Sequence, residues 1–514
     1  MRHHPFSALS PNPLQLQLQL QLQLLLLLLL PLTLTAQPAW IRDSLDLAVQ
    51  QAMQEEQVPG LALAVVKDGK VVLQRAYGVC EAGKPERVDE NTLFMIGSNS
   101  KAYTATALAV LEQEGKLSLD DKVTRWLPTF RLYDDCRTQQ VTLRDLLCHR
   151  LGTRTFQGDF TFWTSNLSRQ EVIQTMALLK PYYEFRTRYG YCNSAFLTAG
   201  EVIPAVASGQ TWEDFIRTRI FQPLKMNRAL ALSAEMPGAR NAAVPHANYD
   251  RRLQPLAFPK IDNLAPAGAI SLSVSDMTHW IMMQLDTGRF EGRQVIPKSA
   301  VLNTWNAHTI VNPRNLYCYG LGWFISYQEG KKMLDHTGGV DGFLSSSCFV
   351  PEARLGVIVL TNTDNNAVFL SLREQLVDVY LGRAKGNRIA AATIGWKEGE
   401  KQEAERIAGL RSKVAEKQPL ALPLQSYAGI YTNPVYGDLE IKVEQSSLKI
   451  VLSRHPNGMG ALENMGDHRF LSTFNNPTLG IHPLTFKAEN DKITALTLKI
   501  NDFVEYDAYE FSRK

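Results

Sequence analysis

Phe94-Met-Ile-Gly-Ser98-Asn-Ser-Lys101 opens a segment in which Ala105, Leu108 and Leu111 mark one apolar face and Gly115 marks the end. That spacing predicts a buried helix over residues 98–114, with glycine as its C-terminal stop. At the start of such a helix Ser98 and Lys101 stand at i and i+3 and share a face. A serine hydroxyl is a poor nucleophile until a base takes its proton. A lysine removed from water and set near other cations loses enough basicity to be that base. The helix start also offers free backbone N–H groups and the positive end of a dipole, both of which favour developing negative charge. The same spacing recurs at Ser446-Ser-Leu-Lys449. That copy lies in an alternating, strand-like run, where i and i+3 point to opposite faces. Context, not the spacing alone, singles out Ser98.

Two further groupings carry chemistry. Tyr191-Cys192-Asn193 supplies a phenol suited to relaying a proton and an amide suited to holding a carbonyl or the lysine. Tyr431-Thr-Asn433 repeats the pattern farther along, so this grouping alone is equally a buried Tyr and Asn. His336-Thr337-Gly338-Gly339 falls between two strand-like runs. Glycines there let a substrate approach the backbone, where an N–H completes an oxyanion hole. Taken alone it is equally a glycine-rich turn with a surface histidine.

Working outward, Leu61–Val66 and Val71–Ala76 are apolar runs joined by Lys67-Asp-Gly-Lys70, a β-hairpin signature. Residues 116–285 read mainly as helices and loops. Strand-like runs return at Leu321–Tyr327, Ser345–Val350 and Leu355–Thr361. A sheet built from an N-terminal hairpin and C-terminal strands, with a helical insertion between them, fits this order. Residues 385–418 are polar and charged, a solvated helix or linker, and Pro419 and Pro423 bracket a short apolar stretch that marks a boundary and closes the linker at 422. Beyond them come short alternating runs, Leu439–Val443, Leu448–Leu452, Arg469–Phe474, Ile493–Ile500 and Tyr506–Phe511. These predict an all-β barrel or sandwich at 423–514.

Together and in this order, the three groupings resemble those of the serine penicillin-recognising superfamily, in its branch of class C β-lactamases, DD-peptidases, D-aminopeptidases and related esterases. Val58-Pro-Gly60, Thr142-Leu-Arg-Asp-Leu-Leu147 with His149, Pro266-Ala-Gly268 and Tyr319-Gly-Leu-Gly-Trp323 add to the resemblance. It implies an α/β fold of β-lactamase type, an antiparallel sheet with helices and a helical insertion, over about residues 37–384. It implies acyl transfer to water through a serine ester. Ser98 would be the nucleophile, Lys101 its activator and Tyr191 the proton shuttle. Asn193, His336, Thr337 and Gly338 would line the substrate site, and the N–H groups of Ser98 and Gly339 would form the oxyanion hole. His336 departs from the lysine usual in β-lactamases. A neutral imidazole holds a carboxylate less firmly than an ammonium, although protonation at lower pH would restore a cation. Peptide, amide or ester substrates, D-amino-acid peptides among them, are therefore expected ahead of β-lactams; a β-lactamase and a slowly acylating β-lactam sensor are the alternatives. Arg150-Leu-Gly152 departs from the Thr-Ser-Gly of many relatives. Tyr427-Ala-Gly-Ile-Tyr431 and the strands after it resemble a lipocalin-like module found behind such hydrolases.

The first 36 residues combine a short polar start, a Leu/Gln tract, Leu24–Leu30 and a small-residue ending at Ala36. They read as a secretory signal peptide, with an uncleaved anchor as the alternative. The expected product is exported, periplasmic or secreted, without a stable membrane span after cleavage. A net charge of +3 without basic blocks argues against a nucleic-acid partner; the expected partner is a small-molecule or peptide substrate, and the oligomeric state is open. Six scattered cysteines form no CxxC pair or metal-like cluster. They leave a disulfide and free thiols equally open. No metal and no organic cofactor is implied.

Overall fold

The computed structural model describes residues 37–249, 252–383 and 386–514, with isolated positions 17 and 21. The expected signal segment otherwise lies outside the described residues. The chain divides into a short unit, Met1–Asp46, and a large one, Leu47–Lys514. The described part of the short unit contains a helix, Ala39–Asp43. The expected hydrolase fold lies in the large unit.

Its centre is an eight-stranded antiparallel sheet. The strands are β1 (Gly60–Lys67), β2 (Lys70–Gly78), β3 (Thr309–Asn312), β4 (Tyr317–Tyr319), β5 (Phe324–Gln328), β6 (Lys331–Val340), β7 (Phe343–Val350) and β8 (Leu355–Thr361). Their order is β2-β1-β8-β7-β6-β5-β4-β3. The hairpin thus pairs with the last strand, Leu61 opposite Thr361, as the sequence order implies. Leu61–Val66 is apolar throughout and wholly buried, so β1 sits inside the sheet, whereas β2 alternates and forms an edge. Asp68 and Gly69 both take positive φ, 52° and 76°, the conformation a two-residue hairpin turn needs.

Two sequence expectations need correction here. The run expected from Leu321 begins as a strand only at Phe324, because Gly320 and Gly322 hold the chain against residues 304 and 101–102. His336-Thr-Gly-Gly does not lie between strands; it forms part of the ten-residue strand β6. Adjacent glycines weaken strand propensity locally, and pairing with β7 overrides it, His336 to Gly339 lying opposite Ser347 to Leu344, while β5 pairs only with Lys331–Asp335.

The helices that matter are α1 (Ser100–Gln113), α2 (Asn193–Gly200), α3 (Val274–Leu285) and α4 (Val368–Tyr380). α3 and α4 pack on the sheet, and α1 packs against α2 and the turn at Ala265–Gly268. Residues 388–415 form one 28-residue helix, α5. Its Ile407, Leu410 and Val414 lie against Met465, Leu471 and Ile481 of the C-terminal module. That module is a closed barrel of eight antiparallel strands, the first (Gly429–Asn433) pairing with the last (Tyr509–Arg513). Five of its strands lie in the expected runs. The others, at 429–433, 459–464 and 481–489, carry strand-weakening residues such as Gly460 and Pro483. All six cysteines are free.

Candidate active site

Ser98 lies in a single 3₁₀ turn, Gly97–Asn99, that runs straight into α1. The turn is fixed from every side. Asn99 donates to Ser345 Oγ at 2.8 Å and accepts from Ser347 Oγ at 2.6 Å, tying the turn to β7. Ser100 Oγ donates back to the Gly97 carbonyl at 2.7 Å and accepts the Ile270 N–H at 3.2 Å. Gly97 has φ +50°, and a Cβ there would stand 2.8 Å from the Gly339 nitrogen. A Cβ on Gly338 would stand 1.9 Å from the Ile96 carbonyl oxygen. The motif glycines therefore let β6 lie directly against the backbone that carries the serine.

Lys101 is wholly buried, and its Nζ has three partners: Ser98 Oγ at 2.9 Å, Asn193 Oδ1 at 2.6 Å and the Ala267 carbonyl at 2.9 Å. Burial pulls its pKa down to about 7, against the weaker opposing pull of Asp159. Gly322, of the Tyr-Gly-Leu-Gly-Trp stretch, sits against the α1 backbone at residues 101 and 102. Pro266 accepts from Thr104 Oγ1 at 2.6 Å, so the Pro-Ala-Gly turn is clamped to α1 while the Ala267 carbonyl meets the amine.

Tyr191 is buried beside this amine, which stands 4.7 Å from its ring centre. Burial raises the phenol's pKa, and a hydrogen bond with Ser98 pulls it the other way. His149 explains the position of this segment. Its ring lies 4.2 Å from that of Tyr191, and its Nδ1 accepts the Cys192 N–H at 3.0 Å. Asp145, of the Thr-Leu-Arg-Asp stretch, is buried and paired with Arg150 and Arg186. Arg150, part of the departure from Thr-Ser-Gly, is thus a partner of a buried carboxylate.

His336 is 2% exposed, with Nε2 3.1 Å from the Tyr319 hydroxyl and Nδ1 2.6 Å from the Thr337 carbonyl. Burial, and then the neighbouring Lys101, lower its pKa to about 3. Burial and the neighbouring amine thus both work against the cation that lower pH was expected to restore. Thr337 and Gly339 are half-buried on the same strand. Phe503 of the barrel covers Gly339, about 3.1 Å from where a Cβ would lie.

The structure therefore brings Ser98, Lys101, Tyr191, Asn193 and His336 into one group, with Gly338 and Gly339 against the serine turn. It leaves the two repeated patterns outside. Lys449 pairs with Glu444 in a barrel hairpin, and Tyr431 is buried in the barrel, donating to the Tyr427 carbonyl at 2.7 Å. Sequence reasoning missed Asp159, whose Oδ2 accepts from Asn193 Nδ2 at 2.5 Å, because no motif spacing links it to the rest. Tyr319 was noted only as part of a stretch, not as the partner of His336. Among the described residues no cluster of His, Cys, Asp and Glu could hold a metal ion, and no helix is long and apolar enough to cross a membrane.

Comparison with known proteins bears on the family and the fold. The family described as Beta-lactamase matches residues 45–381, and a domain of unknown function, DUF3471, matches residues 413–513. An unguisins hydrolase, UngD', of Aspergillus campestris is 26% identical over 418 residues, 76% of each chain. Protein flp of Staphylococcus aureus is 26% identical over 338 residues, 64% of each chain. Among solved structures, the octameric penicillin-binding protein homologue from Pyrococcus abyssi aligns with TM-score 0.59 at 21% identity, over 89% of this chain and 96% of its own. A D-stereospecific amidohydrolase from Streptomyces aligns with TM-score 0.55 at 22% identity, over 66% of this chain and 99% of its own. At these identities the two structures speak to the fold alone.

Proposed function

Because the chain belongs to the beta-lactamase family, whose profile spans residues 45–381, we propose that it is an exported serine hydrolase cleaving amide, peptide or ester bonds through a Ser98 acyl-enzyme. The observation that carries this reading is the environment of Lys101. A neutral amine has two N–H donors and one lone pair. Nζ lies within hydrogen-bond distance of Asn193 Oδ1, the Ala267 carbonyl and, at 2.9 Å, Ser98 Oγ; once the amine is neutral, the first two take its N–H groups and its lone pair is free to accept from the Ser98 hydroxyl. An amine with a pKa near 7 is neutral in a large fraction of molecules at neutral pH.

In the proposed reaction the Ser98 proton passes to Lys101 as Oγ bonds to the substrate carbonyl carbon. The oxyanion is received by the N–H groups of Ser98 and Gly339. Collapse breaks the bond to the leaving amine or alcohol, which takes a proton from Lys101 through the Tyr191 hydroxyl. Water, deprotonated by the same pair, then attacks the ester and frees Ser98. Asn193 orients the amine, and Thr337 lines the substrate side of β6. The neutral His336 favours peptides and esters over β-lactams, whose carboxylate wants a fixed cation. The name of the similar unguisins hydrolase UngD' is in keeping with a hydrolase reading, and D-amino-acid peptides are among the substrates proposed.

The test is intact-mass labelling with a fluorophosphonate, followed by kcat/KM for a short-chain ester, a D-alanyl peptide and a chromogenic cephalosporin. One adduct on the wild type and none on Ser98→Ala is expected, with ester or peptide turnover exceeding that of the cephalosporin. Equal labelling of both proteins would remove Ser98 from its role. A cephalosporin value far above the other two would make the protein a β-lactamase.

A further inference from the structure

The C-terminal barrel reaches the lysine from behind. Glu505 lies in the connection between the barrel strands Lys492–Leu498 and Tyr509–Arg513, and it is 1% exposed. Its two oxygens accept the Gly158 N–H at 2.8 Å and the Phe160 N–H at 3.1 Å, and the Tyr436 hydroxyl donates to it at 2.7 Å. Those two amides flank Asp159, which is itself 1% exposed. Asp159 Oδ2 accepts from Asn193 Nδ2, Asn193 Oδ1 accepts from Lys101 Nζ, and Asp159 Oδ1 is buried without a hydrogen-bond partner. One unbroken line of contacts thus runs from a barrel carboxylate, through a turn of the catalytic domain, to the amine beside Ser98.

We propose that Glu505 of the barrel is a positioning residue for Lys101, acting through the Gly158–Phe160 turn, Asp159 and Asn193 to keep the amine in its basic, neutral form. The proposal rests on Lys101 being the base that activates Ser98. Its physics is that two buried carboxyls at one turn do not both ionise cheaply. Burial raises the Glu505 carboxyl too, but three donors oppose it there, whereas Asp159 has one donor and a bare oxygen, so the first charge of the pair falls on Glu505. Burial first, and then the neighbouring Glu505, push the Asp159 carboxyl well above its ordinary range. The less Asp159 is ionised, the weaker its pull toward an ammonium on Lys101. Around the amine stand Tyr191, Cys192, His149 and His336; around the carboxyls stand Tyr436, Tyr509 and, at the Phe160 carbonyl, His455. Burial holds both His149 and His455 below their ordinary range, so neither ring supplies a competing cation at neutral pH.

The sign of the effect follows. If Glu505 loses its charge, Asp159 ionises more readily, and an anionic Asp159 next to Asn193 raises the Lys101 pKa. The acid limb of kcat/KM, which reports loss of the neutral amine, then moves to higher pH. The experiment is the pH profile of ester hydrolysis by the full chain for wild type, Glu505→Gln, Tyr436→Phe, Asp159→Asn and the Asp159→Asn/Glu505→Gln double variant. Glu505→Gln is expected to move the acid limb up by at least about half a pH unit, costing roughly three-fold in rate below it and little well above it. Tyr436→Phe, which strips one donor from Glu505, moves it the same way by less. In the Asp159→Asn background the Glu505→Gln shift disappears. A merely structural Glu505 would lower the whole profile without moving its limb. If Ser98 still labels and the ester turns over, but the limbs of wild type, Glu505→Gln and Tyr436→Phe coincide, or the shift survives in Asp159→Asn, the proposal is overturned and the acyl-enzyme reading stands. If the wild type neither labels nor turns over ester, both fall. Should Glu505→Gln fail to melt cooperatively, Tyr436→Phe decides, because it leaves the carboxylate and its two backbone bonds in place.

Discussion

At the scale of the residue, the proposed chemistry depends on denying water to one lysine. An exposed lysine holds its proton far above neutral pH and is no base; burial of Lys101 among Asn193, Ala267 and Tyr191 removes that hindrance. The acid limb of wild-type activity is therefore expected near pH 7, rate rising as the amine loses its proton, a profile that ester kinetics between pH 5 and 9 will show. Lys101→Ala and Tyr191→Phe should each cost at least about a hundredfold in acylation rate, the usual scale of a positioned acid–base group. Ser446→Ala should cost nothing, since Ser446 lies in a barrel hairpin turn. If it matched the losses at the site, local structure would be no guide to which copy works. His336→Lys tests the neutral ring. The imidazole is hemmed in by Tyr319 and Phe324, so a lysine there would be a second buried cation beside Lys101. Lower thermal stability, and no gain on carboxylate-bearing substrates, is expected. Ser98 and Lys101 were legible as an i, i+3 pair at a helix start, and Tyr191 and Asn193 only through the order of the three groupings along the chain. Asp159 and Glu505 were not, because a single buried carboxyl has no period, and only the fold shows that residue 505 meets residue 158.

At the scale of the element, the site is a place where a strand and a turn touch with no side chain between them. The sequence showed two strands near the glycine motif but not the strand that contains it, since Gly338 and Gly339 depress the very propensity that a strand prediction reads. What holds β6 is its ladder to β7, from Leu334 opposite Phe349 to Val340 opposite Phe343. Gly338→Ala would set a methyl group 1.9 Å from the Ile96 carbonyl oxygen, with Ser345 Oγ only 2.7 Å away. Backbone lies on one side and a hydrogen-bonded serine on the other, so neither gives way cheaply. A loss of about 3 kcal/mol or more is expected, with the serine turn displaced. Chemical denaturation measures the first effect, and fluorophosphonate labelling rate measures the second. An alanine variant of wild-type stability and reactivity would show that the close approach is not needed.

At the scale of the whole molecule, the division into a hydrolase region and a barrel was visible in the change from mixed to alternating patterning after residue 423. That the two share a core was not visible, because the residues that join them are scattered. Phe160 is 1% exposed. It stacks on His455 at 4.2 Å and on Tyr509 at 5.6 Å, both of the barrel, with Tyr436 close by. Asn166 donates its N–H to the Arg454 carbonyl at 2.8 Å, and Arg154 pairs with Asp507 at 2.8 Å. The surface pair is worth little, but an exposed Phe160 forfeits about 2–3 kcal/mol of burial, and two amides of its turn lose the Glu505 carboxylate. A chain ending at residue 384 is thus expected to melt at least about 10 °C below the full protein and to lose most ester activity, since the turn that steadies Asp159 is released. Phe160→Ala in the full chain separates packing from chemistry. It should lower the melting temperature by several degrees, in line with a loss of about 3 kcal/mol, yet keep a measurable Ser98 labelling rate, because Glu505 bonds to the backbone and not to the ring. Calorimetry and labelling on the two proteins check this directly. A truncated chain with the stability and turnover of the full one would show that the barrel is carried by the hydrolase rather than built into it.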